Sequence, residues 1–159
     1  MNNLITDFGY IVDKGLLLSI VNNERANSSV YHNSMQNWRW RNNVRHPYFD
    51  DLMRDLKVTG WVDFYFQEAN SFLLPHIDPK SISAINFVLS PEPAPITFYP
   101  DAKSRDDLGE PVDYTYTTAI INPTVFHSVQ TGDTERILFK ICIASESYTD
   151  IVKRLLPHV

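Results

Sequence analysis

The sequence predicts a single, mainly β domain with flanking helices, folded as an antiparallel sandwich or barrel. Three observations support this prediction. The chain has 159 residues, which suits one core and is too short for a second. Its second half contains short β-rich runs separated by turn residues, and apolar residues at helical spacing lie outside those runs. We therefore assign 1–159 to one domain and place its β-rich core at about 60–144.

The β-rich half contains seven runs enriched in β-branched and aromatic residues. The breaks between them are rich in Pro, Asn, Asp and Ser, which favour turns. Short strands at this spacing are typical of antiparallel sandwiches and barrels. The predicted strands are 62–67, 72–74, 83–89, 96–99, 114–121, 125–129 and 136–143.

The last run alternates between an apolar face and a mixed face. The apolar face contains Ile137, Phe139, Ile141 and Ile143, and the mixed face contains Arg136, Leu138, Lys140 and Cys142. A purely structural sandwich would turn its polar face to solvent, whereas a jelly roll with a central site would turn part of it inward. The alternation by itself leaves both arrangements open.

Three segments have the apolar spacing of helices, and each has a residue suited to its start. Asp13 is a candidate cap for the first, Pro47 suits the first turn of the second, and Ser147 or Thr149 caps the third. Two of the three segments precede the β-rich core, so we expect helices to cover one outer face of a sheet.

The overall charge argues against two classes of function. The net charge of −5 gives no support for binding nucleic acid or an anionic membrane, which usually requires a basic patch. A small basic cluster, Arg39, Arg41 and Arg45 together with Trp38 and Trp40, is predicted to be a solvated loop.

Cysteine usage and the apolar runs predict a soluble, cytoplasmic protein. The single cysteine, Cys142, excludes an internal disulfide and a Cys-based zinc site, and its apolar strand predicts an inert buried thiol. No apolar run is long enough to span a membrane, and the first residues lack the pattern of a signal peptide.

A candidate metal site begins with His76 and Asp78. Residues two apart in an extended chain point to the same side, so both side chains can reach one ion. His127, 49 residues after Asp78 in another short run, is the candidate third ligand. Two imidazoles and one carboxylate on one face of an octahedron leave three positions open on iron(II).

A candidate anion site follows the metal motif. Arg136 lies nine residues after His127, across a Thr-Gly-Asp turn, so a hairpin would bring it back beside the strand that contains His127. Its guanidinium is well matched to a carboxylate and stays charged when partly buried. Lys140 shares the face of Arg136, and an unpaired interior ammonium is costly. We therefore expect Lys140 either to meet a carboxylate or to be turned outward by a bulge.

The pattern of His76-x-Asp78, His127 and Arg136 resembles that of the iron(II)- and 2-oxoglutarate-dependent oxygenases, particularly the prolyl-hydroxylase-like branch. The resemblance covers about 62–143, roughly half of the chain. It implies a double-stranded β-helix, a form of jelly roll, with N-terminal helices packed on the major sheet. It also implies that the two histidines and Asp78 bind iron(II) and that Arg136 binds the far carboxylate of 2-oxoglutarate.

The same resemblance implies the remaining participants. Iron(II) and 2-oxoglutarate are the expected cofactors, with ascorbate as an optional third. Oxygen and a peptide or small-molecule substrate are the expected partners, and the reaction is a dioxygenase reaction, typically a hydroxylation. Replacing Asp78 with alanine is expected to reduce iron binding far more than stability.

Other positions match the family pattern less closely. Tyr65, eleven residues before His76, and Asn86, polar within an apolar run, are candidate contacts of 2-oxoglutarate. A core tyrosine and a strand-end hydrogen bond are the structural alternatives. Many relatives have Ser or Thr two residues after the basic residue, but this chain has Leu138. A second donor to the carboxylate must then come from another strand, for which Thr97 and Tyr99 are candidates, and Lys140 competes with Arg136 as the anchor.

Two other functions remain open from the sequence. One is a cupin-like metal enzyme that does not use 2-oxoglutarate; such sites usually have more histidines than the five in this chain. The other is a non-catalytic jelly roll with a binding or structural role.

Overall fold

The structure of the chain, a computed structural model, describes residues 3–26, 31–33 and 38–158. These ranges contain eleven strands and three α-helices, and the strands pair antiparallel. The strands are β1 (Ile5–Asp7), β2 (Tyr31–Asn33), β3 (Trp38–Val44), β4 (Trp61–Gln67), β5 (Phe72–His76), β6 (Ser83–Val88), β7 (Ala94–Tyr99), β8 (Val112–Tyr116), β9 (Thr118–Ile121), β10 (Phe126–Gln130) and β11 (Arg136–Ile143). The helices are α1 (Lys14–Ala26), α2 (Pro47–Leu56) and α3 (Tyr148–Leu155).

The strands form two sheets. The larger has seven strands in the order β1-β9-β6-β11-β4-β3-β2, and the smaller has four in the order β5-β10-β7-β8. Residues of both sheets line one internal cavity, so the sheets face each other. The predicted mainly β architecture with two antiparallel sheets is confirmed.

The helices begin where the sequence predicts. Asp13 and Ser147 each accept a hydrogen bond from the backbone N–H three residues later, at 2.9 and 3.3 Å. Pro47 is the first residue of α2, where its missing N–H costs nothing. Thr149, the alternative cap, lies inside α3. In the described ranges no helix is long and apolar enough to cross a membrane.

The apolar core centres on Phe139 of β11. Its ring centroid lies 5.1 Å from that of Phe49 in α2, 5.3 Å from Phe64 and 5.6 Å from Phe87. All four side chains are buried. Because Phe139 faces α2, the alternate residues of β11, including Arg136 and Lys140, face the other sheet and line the cavity. The polar face therefore points inward, the arrangement that a central site requires.

The run 114–121, predicted as one strand, is two. The chain leaves β8 in the smaller sheet, passes through Thr117 and enters β9 in the larger sheet. The Thr117 carbonyl accepts a hydrogen bond from the backbone N–H of Val88 at 2.8 Å. A continuous run of good strand formers does not reveal this change of sheet.

The predicted solvated loop at 38–45 is wrong, because most of it is strand β3. Trp38 and Trp40 stack with ring centroids 4.4 Å apart on one side, and Arg39 and Arg41 alternate with them. Arg41 Nε donates to Glu24 at 3.0 Å, so its charge is paired and its side chain is only about a quarter exposed. The arginines indicated a loop, although the Trp-Arg-Trp-Arg alternation was the pattern of a strand.

Candidate active site

The structure brings His76, Asp78 and His127 together. His76 ends β5, His127 lies in β10, and the two are directly paired across the strands. Asp78 Oδ1 lies 3.5 Å from His76 Nε2 and 3.8 Å from His127 Nε2. All three ligand atoms lie within 4.8 Å of one another, a spacing that allows them to share one metal ion.

Both imidazoles are oriented by backbone carbonyls. His76 Nδ1 donates to the Leu74 carbonyl at 2.8 Å, and His127 Nδ1 donates to the Val125 carbonyl at 2.9 Å. Because a carbonyl oxygen has no hydrogen, each Nδ1 must be the protonated nitrogen. Each Nε2 then keeps its lone pair for a metal, which is the usual way that proteins orient histidine ligands.

His76, Asp78 and His127 form a triad, and Lys140 pairs with its acidic residue, Asp78. Its ammonium contacts Asp78 Oδ2, while Oδ1 faces the histidines. Burial alone would raise the pKa of Asp78, but the nearby Lys140 ammonium holds that pKa well below its usual range. Burial alone would lower the pKa of Lys140, and Asp78 raises it. The expectation that Lys140 meets a carboxylate is therefore fulfilled by Asp78.

The protonation of His127 suits a metal ligand. Burial, with a smaller effect from His76, lowers the pKa of His127 to about 4. At neutral pH this imidazole is therefore neutral and Asp78 is ionised. These are the forms in which both residues bind metals, so little proton release is needed at either residue.

The low pKa of His127 predicts how the metal-free protein responds to acid. Between pH 6.5 and 4 the unfolded chain binds a proton at this residue that the folded protein does not, so stability falls as the pH falls. From pH 7 to 5 the loss from His127 is roughly 2 kcal/mol. Urea unfolding in the presence of a chelator should show this loss in the wild type and in His158→Gln, a substitution at an exposed histidine. His127→Gln should lose less; an equal loss would contradict the assignment.

A cavity of about 420 Å³ lies beside the triad, between the two sheets. Arg136 lines this cavity and is 7% exposed. Its Nη2 donates to the Tyr116 hydroxyl at 3.1 Å. Arg136 Nε is buried without a hydrogen-bond partner, and among the described residues no carboxylate pairs with this guanidinium. Asn86 Nδ2 also donates to Tyr116, at 3.0 Å, while Asn86 Oδ1 is buried without a partner. This cluster has a positive charge and spare polar atoms for a ligand.

Aromatic rings form another part of the cavity wall. Tyr65, predicted as a contact, lines the cavity together with Trp38 and Trp40. The Lys140 ammonium lies 5.6 Å from the centroid of the Tyr65 ring, within the range of a cation–π contact. Burial raises the pKa of Tyr65, partly opposed by Lys140, so its hydroxyl stays protonated at neutral pH.

The two predicted second donors do not lie at the cavity. Thr97 Oγ1 donates to Asp113 at 2.6 Å, and the Tyr99 hydroxyl hydrogen-bonds Ser128 at 3.1 Å. Neither residue lines the cavity. Tyr116 does not line the cavity either, but its hydroxyl contacts Arg136 and Asn86, which do. The sequence did not indicate this residue, because it lies in the other sheet. Tyr116 stands between two threonines near the start of the 114–121 run, and this pattern gave no signal of the contact.

Cys142 is buried, as the sequence predicts, with 2% of its surface exposed. Burial raises the pKa of its thiol, which Lys140 opposes only in part. Because the thiolate is the reactive form, we expect native Cys142 to react with a thiol reagent far more slowly than the urea-unfolded chain. Mass spectrometry of a labelling time course measures this, and equally fast labelling of both states would contradict it.

Comparison with known proteins shows the class of fold. No protein-family model matches the chain, and no curated protein matches its sequence. Solved structures do match, and several of them are 2-oxoglutarate and iron(II) oxygenases. The likeness predicted from the sequence is confirmed as a likeness of fold.

Three matches illustrate this likeness. A Pseudomonas putida prolyl-4-hydroxylase shares 11% identity, with 91% of this chain and 94% of that chain covered and a TM-score of 0.64. HygX from Streptomyces hygroscopicus, solved with nickel and 2-oxoglutarate bound, shares 12%, with 91% and 84% covered and a TM-score of 0.55. SnoN, an alpha-ketoglutarate-dependent epimerase from nogalamycin biosynthesis, shares 13%, with 81% and 72% covered and a TM-score of 0.57. At these identities the comparison concerns the fold and leaves the activity to the site.

Proposed function

We propose that this chain is an iron(II)- and 2-oxoglutarate-dependent dioxygenase that oxidises a peptide or small-molecule substrate. One observation supports this function best. A single internal cavity has a two-histidine, one-carboxylate cluster and, separately, a buried guanidinium without an anionic partner among the described residues. The first feature suits a metal with open positions, and the second suits an anion that reaches that metal.

The proposed metal ligands are His76 Nε2, His127 Nε2 and Asp78 Oδ1. With one carboxylate among the ligands, a divalent ion keeps a net positive charge that favours an anionic bidentate co-substrate. Iron(II), when bound with 2-oxoglutarate and oxygen, supplies the oxidation of a substrate C–H bond as 2-oxoglutarate is converted to succinate and carbon dioxide. The contribution of this chain is to hold the ligands, orient them and exclude water.

The proposed anchor of the distal carboxylate of 2-oxoglutarate is Arg136. Its free Nε and cavity-facing position support this role, whereas the Lys140 ammonium is occupied by Asp78. The Tyr116 hydroxyl already accepts hydrogen bonds from Arg136 and Asn86, so its own hydrogen is available for a further acceptor. Tyr116 is thus the proposed second donor to the carboxylate. Tyr65 and Asn86 remain the proposed polar contacts along the co-substrate.

Succinate release tests the proposed function. Protein loaded with iron(II) under anaerobic conditions is given 2-oxoglutarate, ascorbate and oxygen, alone and with pools of candidate substrates. We expect succinate to form in the wild type and in His158→Gln, and not in His127→Gln or without iron. Mass analysis then identifies the compound that is oxidised. Wild type that binds iron and 2-oxoglutarate but never forms succinate would contradict the enzymatic role.

A further inference from the structure

A second pocket adjoins the main cavity. It has a volume of about 330 Å³ and shares four wall residues with the cavity: Trp40, Tyr65, Asp78 and Pro79. Its other walls include Trp61, Asp63 and Cys142. We call it the side pocket. The side pocket therefore adjoins the cavity at Asp78, next to the proposed metal site.

The side pocket contains a buried carboxylate. Asp63 is 6% exposed and lies on the inward face of β4. Its hydrogen bonds come from neutral donors: the Asn43 backbone N–H at 3.0 Å, Trp61 Nε1 at 3.3 Å and Cys142 Sγ at 3.5 Å. Asn43 has a positive φ of 51°, at an irregularity in the pairing of β3 with β4 that turns its N–H toward Asp63. Such bulges often re-aim groups next to functional sites.

No cation of the described residues pairs with Asp63. Lys140 is directly opposite it across β4 and β11, but its ammonium contacts Asp78 instead. Lys80 also borders the side pocket and is exposed. A buried charge without an opposite charge is costly, and a cationic ligand would supply the missing partner.

We propose that the side pocket binds a cationic group of the substrate, an alkylammonium or guanidinium, through Asp63. This inference rests on the proposed function, since it names the class of substrate oxidised in the adjoining cavity. The walls fit that chemistry. Asp63 supplies the opposite charge, and the tryptophan and tyrosine side chains that line the pocket are the residues best suited to contact a cation. The substrate is therefore an amine or guanidine whose charged group lies at Asp63 and whose oxidised carbon lies on the side of Asp78.

Trp61 provides a direct readout of this pocket. The chain has three tryptophans, so a ¹H–¹⁵N spectrum contains three indole signals, and Trp61→Phe identifies the one in question. The probes are n-butylammonium, its neutral counterpart n-butanol, and sodium chloride at matched ionic strength. Each is titrated into the metal-free protein and into protein loaded with zinc(II), which is diamagnetic.

We expect butylammonium to shift the Trp61 signal to saturation, and butanol and salt to leave it in place. Asp63→Asn should weaken butylammonium binding by about tenfold or more, because the charge is lost while the shape is kept. Asp51→Asn, which removes an exposed carboxylate on α2, should leave binding unchanged. Equal shifts with butanol, or binding by Asp63→Asn within about twofold of wild type, would overturn the proposal. If Asp63→Asn does not fold, the comparison of butylammonium with butanol on the wild type decides alone.

These measurements separate the two proposals. Butylammonium binding at Asp63 without iron or 2-oxoglutarate binding would refute the proposed function and leave the side pocket. Turnover of 2-oxoglutarate without butylammonium binding would refute only the proposal that the side pocket binds a cation. Succinate release with free amines and with short lysine-containing peptides then distinguishes a small molecule from a peptide as the source of the cation.

Discussion

Asp78→Ala is expected to weaken iron(II) binding by more than about a hundredfold, because loss of a ligand should exceed the 10- to 100-fold cost of losing a group that only orients one. The structure adds a second effect that the sequence did not predict. Asp78 is also the counter-charge of buried Lys140, so its removal should lower the free energy of unfolding by about 3 kcal/mol. The expectation that this substitution mainly affects the metal is revised: both losses should be large. Anaerobic iron titration and urea unfolding measure them.

A double variant separates the two effects. Asp78→Ala combined with Lys140→Met removes both members of the buried pair, so stability should recover while iron binding stays lost. Asp51→Ala, at an exposed acid of α2, should change neither quantity. Recovery of iron binding in the double variant would show that Asp78 acts through the fold and is not a ligand.

Arg136→Ala is expected to weaken 2-oxoglutarate binding by about a hundredfold, because a buried charged contact is lost. Arg136→Lys keeps the charge but loses the two-pronged geometry, so we expect a smaller loss of about tenfold. Iron affinity should remain nearly intact in both variants, since Arg136 does not contact the triad. Titration of 2-oxoglutarate into iron-loaded protein under anaerobic conditions measures these changes, with iron affinity determined separately.

Arg105→Ala is the matched control for this prediction. Arg105 also borders the cavity but is exposed, so its loss should change 2-oxoglutarate affinity by no more than about threefold. A large effect of Arg105→Ala with none from Arg136→Ala would make Arg105 the anchor of the 2-oxoglutarate carboxylate. An absence of effect from both would make Lys140 the next residue to test, beginning with Lys140→Ala.

The convergence of His76 and Asp78 could be predicted because its signal is local. His76 and Asp78 are two apart on extended chain, and a lone histidine in another apolar run supplied the third position. The helix starts were also predictable, since Asp13, Pro47 and Ser147 act on their own backbone neighbours. Helix starts of this kind depend on only a few consecutive residues, so the sequence indicates them directly.

Contacts between the sheets could not be predicted in the same way. Tyr116 in β8 accepts a hydrogen bond from Arg136 in β11, and this contact depends on how the two sheets face each other. The pairing of Lys140 with Asp78 likewise joins residues 62 apart. Asp63 looked like any polar residue of an alternating strand until the side pocket around it was known. Alternation identifies which residues share a face, but it does not identify what that face meets.

The most direct test of the central claim is an anaerobic titration of 2-oxoglutarate into the wild type with and without iron(II). We expect saturable binding that is much tighter when iron is present, because the metal and Arg136 would hold opposite ends of one molecule. Succinate, which lacks the keto acid end, should bind far more weakly in the same titration. Iron binding at His76, Asp78 and His127 with no binding of 2-oxoglutarate would contradict the account. The site would then be that of a metal-binding jelly roll that does not use this co-substrate.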